Sequence, residues 1–308
     1  MTPPGSARTP IRPTAAALAV IAVVAAVLLA LIGVGVAQTG TGELRIPAAG
    51  TTSLLRLLVL VALAVHLGEL AGVRLARDGP LPRTWSAPAS VTGAAATAGL
   101  ILLFAAVSGL GLTTVYATRE GKLLLVTANA FAFAALCAAS RRPGLALAPL
   151  AVVVGAEALR AHPETYSPAV GVTLTVVHLT AASLWFGSLL YVLRTMRLRG
   201  GGRDVLVRYA RTAAWIFAAL VVTGTCSTLR RLPLEAVLTT AYGRVLLAKL
   251  ALVGVASLLA LTARYRMLRG GEAEAPARIE LGVLAAVMVI SALLTVVPDP
   301  HWLEWSRG

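Results

Sequence analysis

Apolar runs of about 20 residues, the length that crosses roughly 30 Å of hydrocarbon as an α-helix, follow one another along this chain with short polar connectors between them. The runs lie at Thr14–Ala37, Leu54–Ala76, Val91–Tyr116, Lys122–Ala139, Gly144–Leu159, Ala169–Leu193, Arg211–Leu229, Arg244–Ala263 and Ile279–Val297. The connectors leave no room for a soluble domain. The pattern predicts an all-α integral membrane protein of about nine transmembrane helices, one N-terminal helix followed by two four-helix halves.

The two halves read as a duplication in the same order, as in membrane proteins built from parallel repeats. Val65-His66-Leu67 corresponds to Val177-His178-Leu179. Phe104-Ala105-Ala106 begins 38 residues after His66, and Phe217-Ala218-Ala219 begins 39 after His178. Gly121-Lys122-Leu123-Leu124-Leu125 matches Gly243-Arg244-Val245-Leu246-Leu247, and the fourth helices end near His162 and His301. The expected organisation is residues 1–50 as tail and first helix, 51–165 as the first half and 166–308 as the second.

Composition agrees: 58% of the 308 residues are hydrophobic and the mean hydropathy is +0.83. A net charge of +14 could point to nucleic acid, but the basic residues are spread over loops rather than gathered into a stripe with stacking aromatics, so no nucleic-acid partner is expected. They follow the positive-inside pattern instead. One set of alternate loops holds Arg8 and Arg12, Arg74, Arg77 and Arg83, Arg141 and Arg142, the arginines from Arg194 to Arg208, and those from Arg264 to Arg278. The other set is poorer, with Arg45, Arg119, Lys122, Arg160, Arg230, Arg231, Arg244 and Arg307. The amino terminus is therefore expected to be cytoplasmic and the carboxyl terminus extracytoplasmic. Gly35-Val36-Ala37 before Gln38 also fits the end of a signal peptide, while the length of the first run favours a retained helix.

Ionisable residues inside such runs are costly to keep and mark functional sites. His66 has Glu69 on the same helical face at i+3, an arrangement suited to a metal or proton site. The same pair also serves as a hydrogen-bonded tie between helices. His178 lies in a tract of small residues that ends in Trp185-Phe186-Gly187, and reads either as a ligand or as one bonded histidine in a core helix. His162 with Glu157, and His301 with Asp299, sit at outer helix ends, where they either capture a cation or are simply solvated. Lys249, deep in the eighth helix, must snorkel or pair, with Glu157 or Glu69 as the expected counter-ion. Cys137 and Cys226 fall on different helices near opposite faces and read as two unpaired, small buried hydrophobes. The chain has no P-loop, HExxH or CxxC, which argues against an ATP-driven pump, a zinc protease or a thiol metal carrier.

The tract His178 to Gly187, the helix Arg211 to Gly224, Thr240-Ala241-Tyr242-Gly243-Arg244-Val245-Leu246-Leu247-Ala248-Lys249, and Arg278-Ile279-Glu280 leading to Pro298 together resemble the copper resistance protein D (CopD) family. Ser188 stands where that family usually has a second glycine, and methionine is scarce. The resemblance implies a multi-pass, non-enzymatic inner-membrane protein of copper uptake or copper tolerance. Its implied copper ligands are His178, His66 and His162, joined by Glu69 and Glu157 on the residue reading above. Besides the lipid bilayer, the expected partner is a periplasmic or extracellular copper carrier protein. Two other readings stand beside it: a b-type haem held by His66 and His178 for electron transfer, and a non-transporting scaffold for assembly of a copper enzyme.

Overall fold

The computed structural model describes residues 13–161, 167–231 and 234–298. Among these residues the regular structure is entirely helical: α1 (Pro13–Gln38), α2 (Ala49–Leu75), α3 (Ser86–Ser108), α4 (Leu112–Ala117), α5 (Arg119–Ala139), α6 (Leu147–Ala161), α7 (Pro168–Arg199), α8 (Arg203–Arg231), α9 (Ala241–Leu268) and α10 (Glu274–Leu294). Nine described helical segments are long and apolar enough to cross a membrane, the short α4 being the exception among the α-helices. The predicted run Val91–Tyr116 is broken because Gly109 takes a left-handed backbone at φ 67°, ending α3 and setting α4 off as a separate turn.

Several helices outrun their apolar segments on the arginine-rich side. α7 continues to Arg199, α8 starts at Arg203, α9 ends at Leu268 and α10 starts at Glu274. A hydropathy profile ends at the first charges, whereas the backbone gains by staying helical while the long arginine side chains reach for polar groups. Helix starts are set locally. The Thr118 hydroxyl accepts from the Gly121 amide at 3.0 Å to open α5, and the Thr240 hydroxyl accepts from the Gly243 amide at 3.1 Å to open α9. Glycine is required three residues after each threonine, since a Cβ there would run into the carbonyl of Val115 or Val237.

α2 is the central helix, packed against α1, α3, α7 and α10. Its closest approach is to α7, where Gly68 faces Gly187 and a Cβ on either would strike the other helix's backbone. One turn further along both helices, Gly72 lies under the ring of Tyr191. The matched steps show that α2 and α7 run in the same direction. Small residues of this kind let transmembrane backbones touch, which is how helices associate where lipid removes any hydrophobic drive.

Apolar side chains form one cluster between α2, α3, α5 and α6, including Leu63, Leu100, Phe131 and Leu150. A second cluster joins α2, α7, α8, α9 and α10 through Leu60, Trp185, Leu189, Met196, Tyr209 and Met288. α1 closes onto α9 and α10 through Val34, Val245 and Leu293. The outward faces of α8 and α9 are apolar, with Trp215 80% and Leu258 66% exposed, as expected for surface that meets lipid acyl chains. Cys137 is half-buried, and Cys226 is exposed rather than buried because its side of α8 faces outward; both are free thiols.

Replacing Gly187 by valine should push α7 off α2 and destabilise the protein by about 1–3 kcal/mol or more, the usual cost of overpacking. A lowered thermal midpoint of the purified variant would show this, while an unchanged midpoint would mean that the two backbones do not touch.

Candidate metal-handling site

The two membrane-embedded histidines are held by the same device. His66 on α2 is fully buried and its Nδ1 lies 2.6 Å from the Ser90 hydroxyl on α3. His178 on α7 is half-buried and its Nδ1 lies 2.9 Å from the Thr223 hydroxyl on α8. Each ring is thus turned toward the helix that follows its own. The Thr223 hydroxyl donates its one proton to the Ala219 carbonyl at 2.7 Å, so toward His178 it acts as acceptor and Nδ1 carries the ring proton. Gly224 lies beside this ring, where an added Cβ would stand in ordinary contact, 3.6 Å from Cε1. His66 Nε2 is buried and has no hydrogen-bond partner among the described residues, a costly state for a polar atom at this depth.

Glu69 is committed elsewhere. Its carboxylate accepts from the Trp85 amide at 2.8 Å, the Ser86 amide at 2.8 Å and the Ser86 hydroxyl at 2.6 Å, so a residue of α2 caps the start of α3. Arg194 of α7 donates to Glu69 Oε1 at 2.7 Å and lays its guanidinium 3.6 Å over the Trp85 ring. Carboxylate at a helix N-terminus with arginine behind it gives a charge-assisted cluster that joins three helices. Sequence spacing revealed the His66–Glu69 face, but not that Ser90 takes the imidazole while the start of α3 takes the carboxylate.

Glu157 is likewise held. Arg56 reaches its Oε2 at 3.1 Å and Arg160 its Oε1 at 2.8 Å, and Arg160 also binds Glu120. This network ties α2, α5 and α6 beside a cavity of about 150 Å³ lined by Thr52, Arg56, Phe104, Glu120 and Arg160. Two arginines against two carboxylates leave no net negative charge to draw a cation. Lys249 therefore does not find its expected counter-ion in Glu69 or Glu157, because arginines occupy both; it is half-buried on α9 with no ion pair among the described residues. His162, His301 and Asp299 lie outside the described residues. Among the described residues no three of His, Cys, Asp and Glu converge as a metal cluster.

The partner residues Ser90, Thr223, Arg56, Arg160 and Arg194 were not singled out from sequence. Arg56 alone carried a signal, a charge two residues into the apolar run Leu54–Ala76.

Residues 203–297 match the family model of copper resistance protein D. That stretch runs from the first residue of α8 to just beyond α10 and includes Thr223, the hydroxyl that holds His178. No curated protein and no solved structure matches the chain. The apolar helices describe a multi-pass membrane protein, and its segment 203–297 is similar to copper resistance protein D.

If the Glu69 cluster is structural, Arg194→Ala should destabilise the protein strongly, by about 3–5 kcal/mol, because it leaves a buried carboxylate with part of its support gone. Thermal unfolding of the purified variant measures this, and copper content of the fraction that remains folded should stay at the wild-type level.

Proposed function

We propose that this protein moves copper ions across the cytoplasmic membrane, in the direction of uptake, by way of membrane-embedded histidines. The observation that carries the reading is His178, an imidazole inside a spanning helix, oriented by Thr223 from within the CopD-matched segment. Copper is here the cargo. Imidazole accepts it in either oxidation state, and the scarcity of methionine lessens any added preference for Cu(I). Hydroxyl partners on Nδ1 orient the rings much as outer-shell groups orient metal-ligating histidines in stable sites. His66, with a buried Nε2 that no described residue satisfies, is the second ligand of this route. His162 would receive the ion at the outer face from a carrier protein. Glu69 and Glu157 act by holding the helices, not by binding copper, since their oxygens are taken by amides and guanidinium groups.

A parallel-repeat architecture is part of the proposal. It is supported by the paired threonine–glycine starts of α5 and α9 and by the paired histidine–hydroxyl contacts of α2 with α3 and α7 with α8. The positive-inside pattern supports a cytoplasmic amino terminus.

Cells expressing His178→Ala should lose the copper accumulation that the wild-type protein confers, at equal protein level in the membrane. Accumulation unchanged by the substitution would remove His178 from the route. A Soret band in the purified wild type would instead assign the histidines to haem.

A further inference from the structure

Away from the histidines, a buried carboxyl group sits among apolar side chains with only neutral partners. Glu280 on α10 is 2% exposed, and its Oε1 accepts from the indole Nε1–H of Trp185 on α7 at 2.9 Å. The indole is fixed by an edge-on contact with Phe217 of α8, ring centres 5.7 Å apart. Tyr209 of α8, 4% exposed, brings its hydroxyl near the same indole and carboxyl, and that hydroxyl has no hydrogen-bond partner among the described residues. Three helices therefore converge on one carboxyl group, one N–H donor and one unsatisfied O–H.

No cation answers Glu280 among the described residues. On α10 itself, Arg278 pairs with Glu274 at the exposed first turn. On α7, Arg194 is taken by Glu69, and on α8, Arg208 pairs with Asp78. Arg264 and Arg266 of α9 and Arg74 of α2 are exposed, and α1 carries no charged residue. Glu280 lies roughly 9 Å along α10 from its first residue, at 1.5 Å per residue, and so inside the bundle rather than at its rim. A permanent charge there would have little to offset its desolvation. One carboxyl and one phenol are also too few oxygens to hold a metal cation, which takes four or more ligands in the usual protein sites.

We infer that Glu280, Trp185 and Tyr209 form a proton-binding site in the membrane domain. The indole donates to Oε1 whether the acid is neutral or ionised. The Tyr209 hydroxyl, which makes no hydrogen bond among the described residues, is left able to accept from the neutral acid's O–H or to donate to the carboxylate when the two groups turn to each other. Exchange adds or removes one proton on Oε2 and nothing else. The site opens a way to balance charge when a cation crosses the membrane, but its existence does not rest on the copper reading.

The test is pH-dependent infrared difference spectroscopy on purified, copper-free protein in lipid. Wild type should show a protonated-carboxyl C=O band that is lost on raising the pH, and the band should be absent from Glu280→Gln. Trp185→Phe should keep the band but shift its frequency and titration midpoint, because one hydrogen bond to the acid is gone. Circular dichroism checks that each variant is folded; if Glu280→Gln fails to fold, the Trp185→Phe shift decides alone. A pH-dependent band unmoved by folded Glu280→Gln, no such band at all, or a midpoint indifferent to Trp185→Phe would overturn the assignment.

Discussion

Lipid offers no hydrogen bonds, so a polar group carried into the bundle is costly unless a neighbouring helix answers it, and the answers decide which helices touch. Glu69 shows this most fully. Its carboxylate on α2 supplies the acceptors that the exposed amides at the start of α3 need, and Arg194 of α7 closes over it. One side chain thereby fixes three helices. Gly68, the preceding residue on α2, then allows α7 to come into backbone contact at Gly187. Polar tie and small-residue contact reinforce each other, since each brings about the separation the other requires.

The histidines are arranged on the frame this junction creates. Because α2 and α7 run side by side in the same direction, His66 and His178 can each be turned to the next helix in sequence and take a hydroxyl there, Ser90 in one case and Thr223 in the other. Toward the start of α2, Arg56, Glu120, Glu157 and Arg160 neutralise one another and tie α2 to α5 and α6. The charges thus hold the scaffold, while each imidazole is held by a hydroxyl of the next helix.

Much of the architecture could be read from hydropathy alone, because a spanning helix must be apolar for its whole crossing. The same rule failed at the basic ends of α7 to α10, where helix continues past the last apolar residue, and at Gly109, where a left-handed backbone breaks one predicted run in two. Side-chain roles were less legible. Periodicity places His66 and Glu69 on one face, yet it says nothing of which neighbour each will meet, and Ser90 and Trp85 come from another helix. Lys249 shows the same gap: its expected carboxylates exist, but arginines reached them first.

The most direct test of the account is copper K-edge X-ray absorption on purified protein loaded with copper. Histidine transit predicts nitrogen neighbours with the outer-shell scattering of imidazole rings, reduced when His178 is replaced by alanine. A copper environment of oxygen or sulfur alone, or one unchanged by that substitution, would contradict the idea that the embedded histidines carry the ion.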